Sequence, residues 1–202
     1  FCIFGNWLKI DDDVFAAWME ILNAIPNSVL WLTAGPTPDA LDNLKRCAQA
    51  HGITGERLIV AQRTPDKLSH IDRHRCADLY IDTFTFSAAT SATDSLSAGL
   101  PVLTKKGSTA QSRLAESLIR ATGYTALIVE DRQSYIETAI ALARDPLALQ
   151  HHRKAVMAAA RSETPLFNPN RLVKQFKRLY DHVIAKHRAG EPPQHFDLDG
   201  HD

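Results

Sequence analysis

Short apolar runs alternate with segments of helical period along most of this sequence. Six runs are rich in β-branched and aromatic residues: Cys2–Phe4, Val29–Thr33, Leu58–Val60, Leu79–Asp82, Val102–Thr104 and Ala126–Val129. Runs that are apolar on both faces are typical of parallel strands covered by helices on both sides. The repeated alternation therefore predicts an α/β fold, a Rossmann-like doubly wound parallel sheet with helices on both faces.

Helical period predicts the elements that connect and follow these strands. The segments between and after the runs are Asp12–Ile25, Asp39–His51, Pro65–Ala77, Ser91–Ala98, Ser108–Ala121 and Arg132–Ala143. Two extra C-terminal helices, Leu147–Arg161 and Asn170–His187, follow without a further strand. We expect a sheet domain over 1–145, two helices packing on it over 146–189, and a disordered tail over 190–202, because the tail lacks periodicity.

Composition narrows the classes of protein that this chain can belong to. It has 202 residues, 45% of them hydrophobic, with 23 basic and 23 acidic side chains and a formal net charge of zero. That balance argues against a nucleic-acid partner, and no apolar run reaches the roughly 20 residues of a membrane span. Three cysteines without a CxxC pair favour a reducing, cytoplasmic location. The chain opens on Phe1 with neither Met nor a signal-peptide pattern, so we expect it to be part of a longer protein.

The loop Thr83–Ser91 joins a predicted strand to a predicted helix and is rich in hydroxyl groups. Ligands of doubly wound sheets bind where strand carboxyl ends meet helix N-termini, whose free N–H groups attract phosphate. Asp94 follows about one helical turn later, where a carboxylate can accept hydrogen bonds from vicinal ribose hydroxyls. The alternative is a capping box, in which Asp94 only satisfies backbone donors at the helix start.

The loop Gly5–Asp11 offers a second phosphate contact after the first strand. Gly5 permits close backbone approach, and the Lys9 ammonium could neutralise a diphosphate. The alternative is that Lys9 is a solvated surface lysine.

The segment SHIDRHR at 69–75 places His70, Arg73 and His74 on one helical face. A planar guanidinium suits contact with a nucleobase, and the alternative is a plain solvated face. Two histidines four residues apart could also ligate a metal, but no third ligand is evident, so we expect no metal site here.

Five segments together resemble one known family. They are FCIFGNWLKID at the start, PNSVLWL at 26–32, DTFTFSAATSATDSLSAGLPVLT at 82–104, GSTAQSRLAESL at 107–118 and TPLFNPNRL at 164–172. They resemble the C-terminal, nucleotide-sugar-binding part of the O-linked N-acetylglucosamine transferase/SPINDLY family, glycosyltransferase family 41, from Phe1 to about Gly190. The resemblance implies the C-terminal half of a GT-B fold, whose N-terminal half and tetratricopeptide repeats would be the missing partners within the parent chain.

The resemblance also implies roles for single residues. Lys9 matches the lysine that stabilises the departing diphosphate, which makes it the candidate catalytic residue. The implied substrate-binding residues are Asn6 beside the phosphate, Thr64, Lys67, His70 and Arg73 at the nucleoside, Thr90 and Ser91 at the phosphate-binding helix start, and Asp94 at the ribose.

The family transfers a sugar to protein Ser/Thr hydroxyls without a metal or other cofactor. N-acetylglucosamine from UDP-GlcNAc is the expected donor sugar, and a protein is the expected acceptor. Members that use UDP-GlcNAc carry His-Thr-Thr where this chain has Ala89-Thr90-Ser91. Two alternatives therefore stay open: a SPINDLY-like transferase that uses GDP-fucose, and a degenerate, non-catalytic domain that binds nucleotide or protein. A flavodoxin-like or receiver domain is disfavoured because no acidic phosphoacceptor pocket is evident.

Overall fold

One parallel sheet of six strands forms the centre of the computed structural model, which describes residues 1–35, 37–162 and 164–196. The strands are β1 (Cys2–Ile3), β2 (Leu30–Leu32), β3 (Leu58–Val60), β4 (Tyr80–Ile81), β5 (Val102–Lys105) and β6 (Ile128–Val129). Their order across the sheet is β3-β2-β1-β4-β5-β6, and every pair is parallel. The predicted fold class is confirmed, and each strand lies within or beside its predicted apolar run.

Eight α-helices connect and follow the strands in the described part of the chain. They are α1 (Asp12–Ala24), α2 (Pro38–Ala50), α3 (Lys67–His74), α4 (Thr90–Ser97), α5 (Leu114–Ala121), α6 (Arg132–Arg144), α7 (Pro146–Arg161) and α8 (Pro169–Arg188). Short 3-10 turns occur at Trp7–Lys9, Gly55–Arg57 and Gln111–Arg113. None of the described helices is long and apolar enough to span a membrane.

The predicted helix Ser108–Ala121 is wrong over its first six residues. The Thr109 N–H donates to Ser112 Oγ at 2.9 Å, and the Ser112 N–H donates to Thr109 Oγ1 at 3.2 Å. Such local side-chain bonds compete with helical ones. The chain therefore makes a 3-10 turn first, and α5 begins only at Leu114.

The strand order places a topological switch point between β1 and β4. From β1 the chain runs outward to β2 and β3, and from β4 it runs outward to β5 and β6. Right-handed connections then put α1 and α2 on one face and α3, α4 and α5 on the other. The carboxyl ends of β1 and β4 carry the loops 4–11 and 82–89, which is where doubly wound sheets bind ligands.

The C-terminal helices differ in how they are covered. Helix α7 packs against α4 and α6 and buries Val156, whereas α8, all of whose residues are described, has no buried side chain. Residues 191–196 have no regular secondary structure, and the Phe196 ring lies 4.5 Å from that of His182. Of the predicted tail, residues 197–202 lie outside the described residues, and the division at 145 and 189 stays a prediction.

Candidate functional site

The two loops at the switch point contact each other directly. Lys9 Nζ donates to the Ser87 carbonyl oxygen at 3.0 Å and lies 4.0 Å from the centroid of the Phe86 ring. Thr85 Oγ1 donates to Asp11 Oδ2 at 2.6 Å. The loops 4–11 and 82–89, which the sequence analysis treated separately, therefore lie against each other and form one side of the candidate site.

Lys9 is not the solvated surface lysine of the alternative hypothesis. It is half-buried at the end of the 3-10 turn that follows β1. Burial lowers its pKa, and the nearby Asp82 carboxylate partly opposes that shift. A cation that is partly removed from water attracts an anion more strongly than a fully hydrated one.

Asp82 lies beneath these loops and is fully buried directly after β4. Its Oδ1 accepts the N–H groups of Thr83 and Ala88, each at 2.8 Å, and its Oδ2 accepts the Thr104 hydroxyl at 2.7 Å. Burial raises its pKa to about 6, against the opposing effect of these bonds and of Lys9. Sequence analysis took Asp82 only as the end of a strand, although a carboxylate within an apolar run at a strand's carboxyl end was an available signal.

Helix α4 begins with Thr90 and Ser91, as the phosphate-site prediction requires. Its N-cap is Ala89, which has no side-chain hydrogen bond to the helix. Thr90 is exposed, and Ser91 Oγ lies 3.0 Å from the Tyr80 hydroxyl. The backbone donors of the first turn, together with the helix dipole, are suited to an anion.

Asp94 is nearly buried on the second turn of α4 and faces α3. Its Oδ2 lies 2.5 Å from Lys67 Nζ and 3.6 Å from His70 Nε2. A capping box would need the carboxylate at the third helical residue, which is Ala92, so that alternative is wrong. The structure therefore brings Lys67, His70 and Asp94 together, and their role at a nucleoside stays a prediction.

The exposed face of α3 is supported by a buried histidine. His74 is fully buried, its Nδ1 bonds the His70 carbonyl oxygen at 2.8 Å, and the two rings lie 4.8 Å apart. Burial lowers the pKa of His70, partly opposed by Asp94, and brings that of His74 to about 4, so the His74 imidazole is neutral at pH 7. Arg73 lies with its guanidinium carbon 5.6 Å from the Phe4 ring centroid. Within the described ranges no group of three His, Cys, Asp or Glu residues could hold a metal.

For two predicted site residues, Asn6 and Thr64, the structure gives a position but less support for a role in ligand binding. The Asn6 side-chain oxygen accepts the Leu8 N–H at 3.0 Å and so caps the 3-10 turn that carries Lys9. Thr64 is half-buried between β3 and α3, three residues before Lys67. Their roles at the phosphate and the nucleoside stay predictions.

Comparison with known proteins agrees with the family resemblance of the sequence. The model of the family "Glycosyl transferase family 41" matches residues 1–176. The chain is 34% identical to a probable UDP-N-acetylglucosamine–peptide N-acetylglucosaminyltransferase, SEC, of Arabidopsis thaliana, over 97% of this chain and 20% of that protein. It is 30% identical to the UDP-N-acetylglucosamine–peptide N-acetylglucosaminyltransferase of Caenorhabditis elegans, over 96% of this chain and 17% of that protein. The chain therefore spans about a fifth of the length of these relatives.

Solved structures with the same fold are glycosyltransferases. An O-GlcNAc transferase mutant from Thermobaculum terrenum superposes with a TM-score of 0.78 at 26% identity, over 89% of this chain and 35% of that one. The lipopolysaccharide glycosyltransferase WaaG shares the fold alone, with a TM-score of 0.61 at 16% identity. These neighbours have the GT-B fold, of which this sheet is one half. On the family match over residues 1–176, the chain belongs to glycosyl transferase family 41.

Proposed function

We propose that this chain is the donor-binding half of a protein O-glycosyltransferase that transfers N-acetylglucosamine from UDP-GlcNAc to Ser/Thr hydroxyls. The observation that carries the proposal is the pairing of Asp94 with Lys67 and His70, one helical turn from the start of α4. The names of the relatives support the choice of sugar and of a peptide acceptor.

The nucleoside end of the donor would lie beside α3 and α4, where Lys67 and His70 approach Asp94. Asp94 would accept the two ribose hydroxyls while Lys67 keeps its charge balanced. Arg73, on the same face of α3, would lie against the base. Ser91 precedes Asp94 by three residues, or about 4.5 Å along the helix axis, which is close to the separation of a ribose from its phosphates.

The diphosphate end fits between Lys9 and the start of α4. Transfer of the sugar leaves negative charge on the departing diphosphate, and only groups that bind this charge more strongly in the transition state accelerate the reaction. The Lys9 ammonium and the N–H groups at Thr90 and Ser91 are preorganised donors of that kind. Lys9 is therefore the catalytic residue of this half.

We further propose that the reaction needs no divalent metal, because Lys9 and the helix start already supply positive charge. Adding EDTA should therefore leave the affinity for UDP-GlcNAc unchanged, and a loss of binding that Mg²⁺ restores would contradict this.

The acceptor site and the catalytic base would belong to the N-terminal half of the parent protein, with tetratricopeptide repeats before it. The chain's span of about a fifth of its relatives supports a longer parent protein, and the family resemblance implies the acceptor-side half and the repeats. Its three free cysteines suit a reducing, cytoplasmic location. On this proposal the chain alone binds donor but transfers no sugar.

Calorimetric titration of the folded chain with UDP, UDP-GlcNAc and GDP-fucose tests the proposal. We expect UDP and UDP-GlcNAc to bind and GDP-fucose to bind at least tenfold more weakly. Preference for GDP-fucose would favour the SPINDLY-like alternative. Failure of all three to bind at millimolar concentration, with circular dichroism showing a folded chain, would overturn the donor-domain assignment.

The degenerate alternative rests on Ala89, whose methyl group offers the helix start no hydrogen bond. The variant Ala89→His restores the residue of UDP-GlcNAc-using relatives. Binding that appears only in this variant would indicate that the natural chain has lost its donor site. Measurable binding by the unaltered chain would argue against such loss.

A further inference from the structure

Asp82 organises the loop that joins β4 to α4. Its single Oδ1 atom accepts N–H groups from both ends of the segment, Thr83 and Ala88, while Oδ2 accepts the Thr104 hydroxyl from β5. All of this lies in the interior, where a lost acceptor leaves a donor unsatisfied. The carboxylate therefore closes the loop on itself and ties it to the neighbouring strand.

The backbone of Asp82 is fixed as firmly as its side chain. The Tyr135 hydroxyl donates to the Asp82 carbonyl oxygen at 2.8 Å and accepts the Trp18 indole N–H at 3.1 Å. The Phe84 ring packs edge-on against Tyr135 with centroids 4.9 Å apart. Side chains from α1 and α6 thus fix the point at which the loop leaves the sheet.

The loop held in this way contacts Lys9 and leads into the first turn of α4, the two positively charged features of the candidate phosphate site. Ala88 immediately precedes the N-cap of α4, so its bond to Asp82 determines where the first turn points. The preceding Ser87 presents its carbonyl oxygen to Lys9 Nζ. Ser87 is itself fixed, since its Oγ donates to the Gln111 carbonyl oxygen and accepts the Ala115 N–H.

We propose that Asp82 is a positioning residue for diphosphate binding: its carboxylate holds the 83–88 loop so that Lys9 and the first turn of α4 face the same phosphate group. This inference rests on the proposed function and adds a residue that contacts no ligand. The effect should fall mainly on the phosphates, because Asp94, on the second turn of α4, pairs with Lys67 of α3 and lies farther from the loop than the first turn does.

Three variants of the chain test the inference. Asp82→Ala removes the acceptor. Asp82→Asn keeps an oxygen for the two N–H groups and offers Thr104 an amide donor, because a hydroxyl can accept as well as donate. Arg57→Ala is the control for lost stability, since Arg57 bonds α1 at the opposite, amino end of the strands. Affinities for UDP and for uridine are measured by NMR titration, and exchange of the 83–89 amides by mass spectrometry.

We expect Asp82→Ala to weaken UDP binding at least tenfold and uridine binding less than twofold, with faster amide exchange over 83–89. Asp82→Asn should stay within threefold of the unaltered chain, and Arg57→Ala within twofold for both ligands. If folded Asp82→Ala binds UDP within twofold of the unaltered chain, or loses UDP and uridine equally, the inference is wrong.

Two further results also decide the inference. If Asp82→Ala does not fold, Thr104→Val decides, because it removes one hydrogen bond and should weaken UDP binding two- to threefold; unchanged affinity would overturn the inference. If the unaltered chain does not bind UDP, the proposed function fails. In that case faster amide exchange over 83–89 in Asp82→Ala would still support the positioning role of Asp82. Unchanged amide exchange would contradict that role too.

Discussion

Lys9 places a cation where the two loops of the candidate site meet. Its ammonium already has a carbonyl and an aromatic ring as neighbours, so a diphosphate would find it in place. Charge-assisted hydrogen bonds contribute about 1.5–3 kcal/mol. We therefore expect Lys9→Ala to weaken UDP binding about tenfold or more, measured by calorimetry, while uridine affinity changes less than twofold.

The matched control for Lys9 is Lys106, which also follows a strand at this edge of the sheet. Lys106 pairs with Glu130 on the surface. Lys106→Ala removes the same net charge, and we expect it to change UDP affinity less than twofold. Equal losses of UDP and uridine in Lys9→Ala, or equal effects of the two variants, would contradict the role given to Lys9.

His74 and Asp82 give opposite contributions to stability at acid pH. The pKa of His74 is about 4 in the folded chain against an ordinary 6.5. Between these values the unfolded chain binds the proton more readily, so this contribution to stability falls as pH drops from 6.5 to 4. The pKa of Asp82 is raised from 3.8 to about 6, so its contribution to stability rises as pH drops from 6 to 4.

The variant His74→Phe separates these two effects by urea denaturation between pH 7 and pH 4.5. It removes the acid-labile group and keeps an aromatic ring against Phe4 and His70. We expect the variant to gain on the order of 2–3 kcal/mol relative to the unaltered chain over this range, since each pKa unit corresponds to about 1.4 kcal/mol. The exposed His151→Phe variant is the control, and a difference independent of pH would contradict the burial of a neutral His74.

At the level of elements, Arg57 holds the end of α1 against the start of β3. Its Nη2 donates to the carbonyl oxygens of Leu22 and Ile25, and its Nε donates to that of Ser28, all at 2.8–2.9 Å. The Leu22 and Ile25 carbonyls lie at the C-terminus of α1, where the helix dipole favours cations, and Ser28 lies in the turn before β2. We expect Arg57→Ala to lower the free energy of unfolding by about 2 kcal/mol, measured in urea.

Arg57→Lys distinguishes the shape of the guanidinium from its charge. A lysine keeps the charge but cannot present the planar fork that bonds several carbonyls at once. We expect it to recover less than half of the loss in Arg57→Ala. Full recovery would show that charge alone stabilises the end of α1.

The elements were predictable where local pattern decides structure. Leu58–Val60 is recognisable as a strand because the apolar run is too short for a helix and is rich in β-branched residues. Helix α1 begins at Asp12 because Asp11 caps it, with Oδ1 accepting the Val14 N–H. The start of α5 was not predictable from period, because Thr109 and Ser112 bond each other instead.

The site was predictable in part for the same reason. Sequence spacing predicted that Asp94 lies near the start of α4. Its partners on α3 lie about 25 residues away in the sequence, and their assignment depended on the family resemblance. Asp82 was missed because its role depends on Ala88 and Thr104, which only the folded chain brings to it. Local sequence pattern therefore predicts which loops form the candidate site, whereas long-range contacts determine which side chains position or form it.

On the proposed function, the residues that bind the donor all lie at one edge of the sheet. A net charge of zero is compatible with such a site, because a diphosphate site needs only Lys9 and a helix N-terminus rather than a basic surface. The strand order places both at the β1–β4 switch point. Removing a segment remote from that edge should therefore leave donor binding unchanged.

Helix α8 is the segment on which this expectation can be tested. Its apolar side chains Leu172, Phe176, Tyr180 and Val183 recur at helical spacing and are 45–60% exposed. The residues just before it, Leu166 and Phe167, pack against the core. A chain that ends at Phe167 thus keeps the core contacts and loses the exposed stripe.

We expect this shortened chain to unfold within about 4 °C of the unaltered one, since about 1 kcal/mol moves the melting temperature of a protein of this size by 2–4 °C. UDP affinity should change less than twofold, and sedimentation at high concentration should show less self-association, because exposed apolar stripes promote it. A control chain that ends at Arg144 also removes α7, which buries Val156 and packs on α4, and it should melt far lower. A similar loss in both chains would show that α8 stabilises the sheet domain after all, through contacts that its exposed stripe does not make.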